Sequence, residues 1–203
     1  MKHFYFEIFL LVFLSFNFFA EAATEPSVTV DVVKTHQIDR CREVKANTLP
    51  LYIQSVSWTS LDRSVGLIKD KEENIPVKAQ GRLEEIMKTS LKNAFAKCGF
   101  VLNPSPEKAI VLVVRIDDFF VKSVNEGFVG KTTGNVELTI EYSRPGTVMY
   151  SSSTHGFETD YKTGPSRKMK RLQKVLNQVL VDVINEVAFS ETVYAQIARM
   201  SRE

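Results

Sequence analysis

Apolar residues recur three and four apart in two stretches of this chain. From Val77 the positions Leu83, Ile86, Met87, Leu91, Ala94, Phe95 and Cys98 fall on one side of a helix of about six turns. Lys88, Lys92 and Lys97 keep the other side wet. Gly99 stands where a left-handed cap ends a helix, and Gly81 frays the first turn. The second stretch begins near Ser166. Met169, Leu172, Val175, Leu176, Val179, Leu180, Val183, Ile184 and Val187 form a broad stripe. A break near Ser190 precedes a short closing helix over "SETVYAQIARMSRE".

Elsewhere the period is two. "SVTVDVV" predicts a strand with Val28, Val30 and Val32 on one face. "LPLYIQSVSWTSLD" predicts another, with Tyr52, Val56 and Trp58 on one face and Leu51 and Ile53 on the other; Pro50 suits its first position. "DRSVGLIKDKEENIP" reads as an exposed connection. "GFVLN" reads as a strand and "PSPEK" as a turn. "AIVLVVRIDDFFVKSV" is the strongest strand, apolar on both faces in its first half, which predicts a central position. "NEGFVGKTTG" links it to "NVELTIEYS", whose alternation predicts one dry and one wet face. After the turn "RPG", "TVMYSSSTHGFETDY" pairs back.

The predicted fold class is α+β. A two-layer arrangement is expected, in the order β-α-β-β-β-β-α. It has a mainly antiparallel sheet of about five strands with two long helices packed on one face. Three regions follow: a leader over 1–22, an N-terminal extended segment over 23–48, and a single α+β domain over 49–203. No internal repeat or low-complexity tract is seen.

The leader sets the compartment. Ile8 to Phe19 is broken only by Ser15 and Asn17, and Ala20-Glu21-Ala22 gives the small-x-small pattern of a signal-peptidase site. The run is about 12 residues, short of the roughly 20 that span a bilayer. A secretory signal cleaved after Ala22 is expected, with the mature chain in the periplasm or associated with the outer membrane. Seven of the 14 phenylalanines lie in this leader. Without it the chain carries 25 basic and 22 acidic residues. That balance gives no basic stripe for nucleic acid. In an oxidising compartment Cys41 and Cys98 can form a disulfide, tying the N-terminal segment to the end of the first helix, or can remain separate thiols.

Several stretches together resemble the YajG-type family of small bacterial envelope lipoproteins, which have no assigned enzymatic activity. They are "VSWTSLDRSVG", "LEEIMKTSLKNAFAKCGFVL", "AIVLVVRIDDFFV", "TTGNVELTIEY" and "VLNQVLVDVINEVAFSETVYAQI". The resemblance covers roughly residues 50 to 200. It implies the fold and the envelope setting, and it places an acid of the last helix at Asp182. The family is lipidated at a cysteine directly after the signal; this chain has Ala23 there.

Candidate chemistry is sparse. His36 and His155 lack the spacing of metal ligands. Asp117 and Asp118, adjacent on a strand, are expected to point to opposite faces. Asp62 and Arg63 could form a local ion pair. Gly127, Gly130 and Gly134 make no phosphate loop, and "SSSTHG" holds no nucleophile elbow. Neither a cofactor nor a metal is expected. Arg167, Lys168, Lys170, Arg171 and Lys174 crowd the start of the last long helix, where positive charge opposes the dipole. They are either a solvated face or a contact for an anionic membrane surface. The reading that follows is a non-enzymatic envelope protein that binds a protein partner or the membrane surface. An exposed edge strand at "TVMYSSSTHGF" could accept a partner strand. The alternative is an envelope hydrolase or carbohydrate-acting enzyme with a scattered site.

Overall fold

The computed structural model describes residues 26–42, 44, 48–60, 63–70, 73–126, 129–144, 150–163 and 168–202. The leader expected over 1–22 lies outside them. Among the described residues the elements are β1 (Ser27–Thr29), β2 (Leu51–Trp58), β3 (Ser64–Asp70), β4 (Glu73–Gln80), α1 (Leu83–Lys97), β5 (Ile110–Glu126), β6 (Val129–Ser143), β7 (Tyr150–Thr163), α2 (Lys168–Phe189) and α3 (Glu191–Met200). A short 3₁₀ turn occupies Thr35–Gln37.

The expected five-stranded, mainly antiparallel sheet with two helices is corrected by this architecture. One sheet of seven strands runs β1-β4-β3-β5-β6-β7, and β2 also pairs with β5. The sheet is mixed: β1–β4, β2–β5 and β3–β5 are parallel, whereas β3–β4, β5–β6 and β6–β7 are antiparallel. Two physical reasons account for the difference. The stretch read as an exposed connection is the β3–β4 hairpin, because Val65 and Val77 lie fully buried between its charged residues. The chain then returns through α1, a crossover of the length that parallel pairing requires. The expected strand at "GFVLN" shrinks to one parallel bridge between Leu102 and Leu51.

The long helices share one face of the sheet. Leu83, Met87, Leu91 and Phe95 of α1 are buried, as are Leu172, Val175, Val179 and Val183 of α2. The sheet carries glycine where α2 comes closest. A Cβ at Gly156 would stand 3.1 Å from the Val179 carbonyl oxygen and 3.1 Å from Val183 Cβ, so a side chain there would press on the α2 backbone. Ser190 caps α3, its hydroxyl accepting from the Val193 amide at 3.4 Å. Phe100 then meets Phe95 and Tyr194 edge to face, with ring centroids 5.5 and 5.2 Å apart.

The N-terminal segment lies along the helices as a strap. Val28, Val30, Val33 and Ile38 are buried. Helix side chains take its backbone groups. The Val33 amide donates to Ser90 Oγ at 3.0 Å, and Asn93 Nδ2 donates to the Val33 carbonyl at 2.9 Å. Asn185 accepts from the Asp39 amide and donates to the Gln37 carbonyl. A disulfide joins Cys41 to Cys98, and Arg42 donates to the Phe189 carbonyl at 2.7 Å.

Candidate functional site

The outer face of the sheet, away from the helices, gathers the polar residues. In β5 the residues Ile110, Leu112, Val114 and Ile116 point inward. The register then slips between Ile116 and Asp118, and the inward positions resume at Phe119 and Val121. Asp117 is the extra residue of a β-bulge, a device that re-aims side chains.

The bulge corrects the expectation that Asp117 and Asp118 face opposite ways. Thr139 Oγ1 donates to Asp117 Oδ2 at 2.6 Å, and Asn135 Nδ2 donates to Asp118 Oδ2. Asn135 and Thr139 lie four apart on β6 and therefore on one face, so both carboxylates lie on that face as well. Two rows of hydrogen bonds cross from β5 to β7. In one, Ser153 Oγ meets Thr139 Oγ1 at 3.2 Å, Thr139 holds Asp117, and Arg115 Nε donates to Asp117 at 2.5 Å. In the other, His155 Nε2 donates to Asn135 Oδ1, whose amide in turn holds Asp118. Glu141 stands 3.7 Å from the Arg115 guanidinium.

Partial burial by itself pushes the Asp117 carboxyl up. The Thr139 hydroxyl and the Arg115 guanidinium outweigh that effect, so the carboxyl titrates below the ordinary aspartate value. Asp117 is thus held ionised between the Thr139 hydroxyl and the Arg115 guanidinium. Phe157, 61% exposed, projects beside these rows on the same face of β7.

The other expected residues are scattered. His36 is exposed in the 3₁₀ turn. Arg63 pairs with Glu84 at 3.3 Å, and Asp62 lies outside the described residues. Asp182 accepts from Gln178 Nε2 at 3.0 Å. Among the described side chains the basic cluster is divided. Arg167 and the Lys168 side chain lie outside the described residues, and Lys170 is exposed. Lys174 is exposed and stands 3.8 Å from Asp160. Arg171 is turned inward and is 4% exposed. Among the described residues no group of three or more His, Cys, Asp or Glu is placed to hold a metal ion.

Sequence reading passed over Arg115, Asn135 and Thr139. A signal was present. Arg115 and Lys122 are both exposed on β5 but lie seven apart, an odd spacing that a regular strand cannot place on one face. That parity break marks the bulge.

The sequence matches no protein-family model and no curated protein. The fold is shared with a solved Xanthomonas campestris protein of the DUF330 family, at TM-score 0.54 and 13% identity, over 86% of this chain and 99% of that one. A Helicobacter pylori protein described as a neuraminyllactose-binding hemagglutinin homologue aligns at TM-score 0.41 and 12% identity, over 80% of this chain and 96% of that one. A Caulobacter crescentus protein described as a lipoprotein aligns at TM-score 0.39 and 13% identity, over 60% and 88%. Membership of the YajG-type family is not shown by these likenesses. What the chain has in common with the DUF330 protein is its architecture.

Proposed function

We propose that this chain is a non-enzymatic cell-envelope protein that binds an extended segment of a protein partner along β7 and the adjoining outer face. The single observation that carries this reading is the contrast between the edges of the sheet. β1 is only three residues long. The start of β2 is bonded to the 101–103 segment, and Lys88 Nζ donates to the Gln54 carbonyl further along. Short strands and covered edges are how folded proteins prevent unwanted pairing. β7 is 14 residues long and pairs with β6 in unbroken register. Its stretch from Ser151 to Phe157 has no proline, charge or bulge. Among the described residues no strand pairs with its outer side. Such an edge supplies main-chain hydrogen bonds to an added strand, and alternate side chains select it. Here Ser153, His155 and Phe157 present those side chains beside the fixed carboxylates.

The envelope setting is supported by the leader read in the sequence and by the Cys41–Cys98 bridge, a bond favoured in oxidising compartments. No described helix is long and apolar enough to cross a membrane. The test is Phe157→Glu in the full chain, with partner capture from intact cells after chemical crosslinking. Capture is expected to fall by about tenfold, equivalent to ~1.4 kcal/mol of binding. Unchanged capture would remove β7 as the contact.

A further inference from the structure

Arg171 is the most buried charged side chain among the described residues, and its Nε and Nη2 both lie buried without a hydrogen-bond partner. A guanidinium out of water and unpaired is strongly unfavourable; buried charges are held by counter-charges or ligands. The Arg171 position follows from its neighbours. A Cβ at Gly134 would lie 3.0 Å from Val175 Cγ1, so Val175 sits over Gly134. One turn back along α2 from Val175 is Arg171. Two residues back along β6 from Gly134, on the same face, is Thr132. The two steps are similar in length, about 5.4 and 6.8 Å, which directs Arg171 toward Thr132.

Thr132 is the centre of a polar row on that inner face. It pairs with Ser123 on β5 and with Asp160 on β7. Ser123 and Thr132 are buried, with their hydroxyl oxygens 3.1 Å apart. Asp160 Oδ2 is buried without a hydrogen bond, and its ion pair is with Lys174 at 3.8 Å. Glu158, paired with Gly134, lies on the same inner face as Asp160, so the row is not short of carboxylates; what stays unmet among the described residues is the Nε–Nη2 edge of Arg171. The start of α2 adds its own positive end. Lys170, Arg171 and Lys174 make that end more positive still, an arrangement that weakens the helix unless an anion offsets it.

We propose that Arg171, Lys174, Ser123 and Thr132 form a binding site for a phosphate-class oxyanion beneath the first turns of α2. The Nε–Nη2 edge of a guanidinium binds two oxygens of such a group at once. One hydroxyl of the Ser123–Thr132 pair donates to the other, which leaves the second proton for the ligand. The site lies on the inner face, remote from the outer rows, and is independent of partner binding at β7. Free phosphate and the phosphodiester of a lipid headgroup share this chemistry.

The test uses the purified full chain with inorganic phosphate, against sodium chloride at equal ionic strength. At ten times Kd, phosphate is expected to raise Tm by about 3–6 °C. Arg171→Met abolishes the rise. Asp160→Asn, which removes a competing carboxylate, tightens the apparent affinity by on the order of tenfold. Phosphatidylglycerol and phosphatidylcholine vesicles distinguish the source. Arg171-dependent binding to the former assigns a lipid headgroup; a phosphate response without vesicle binding assigns free phosphate. An equal Tm rise in wild type and Arg171→Met overturns the site, as does no rise in wild type. Should Arg171→Met fail to fold, an Asp160→Asn response no stronger than wild type overturns it.

Discussion

The Thr139 hydroxyl donates to Asp117 across the β5–β6 pair at 2.6 Å, on the outer face that the bulge lets Asp118 share. It carries a pH prediction. Asp117 titrates below the ordinary aspartate value of about 4 when folded. The unfolded chain therefore takes up the proton first. The stabilisation is complete above about pH 4 and is lost as pH falls through the lower folded value. Thr139→Val is expected to move the Asp117 carboxyl upward and to shrink this acid loss. Carboxyl titration by NMR checks the shift directly, and urea midpoints at neutral and acid pH check the loss.

The disulfide closes a separation of 57 residues between strap and helix end. Cys41→Ser with Cys98→Ser is expected to lower stability by about 2–4 kcal/mol, following the entropy restored to the unfolded chain. Urea unfolding measures it. Proteolysis should then cut first within the strap, because local opening is controlled by the contacts that remain.

Gly156→Ala is expected to destabilise the protein by about 1–3 kcal/mol, the usual cost of overpacking. The added methyl meets the backbone of α2 at Val179 and Val183, which cannot give way as a side-chain tip can. Thermal unfolding tests this. A neutral result would mean that α2 lies further from β7.

Asn185→Ala removes two bonds to the strap, 3.1 Å from the Asp39 amide and 3.0 Å to the Gln37 carbonyl. A loss of about 1–2 kcal/mol is expected. Hydrogen exchange should show faster opening at Asp39 and little change at the β5 amides.

Local signals in the sequence were the most legible. The stripe from Leu83 to Phe95, the stripe from Leu172 to Val187, the break at Ser190 and the run from Ile110 all correspond to described elements. Two kinds of feature stayed hidden. One is phase slips. A register shift between Ile53 and Ser55 sets Val56 and Trp58 opposite the inward Val114 and Ile116, so they share the face of Leu51 and Ile53 and not that of Tyr52. The slip at Asp117 did the same to the candidate site. A period-two pattern cannot report which side of an extra residue a face continues on. The other is partnership between distant segments. The short β3 and β4 are held by neighbours far along the chain, such as Val121 beside Gly66 and Lys78 beside Ser27. Arg171 belongs to the same class, since a basic run at a helix start gives no sign of which member turns inward.

The measurement that bears most directly on partner binding is position-resolved photocrosslinking in intact cells. A photoreactive residue would be placed at Ser151, Ser153 or His155 on β7, and at Lys92 or Lys170 on the helix side. Adducts of one discrete mass from the β7 positions, absent from the helix positions, are the predicted result. Adducts from Lys92 or Lys170 with none from β7 would contradict it.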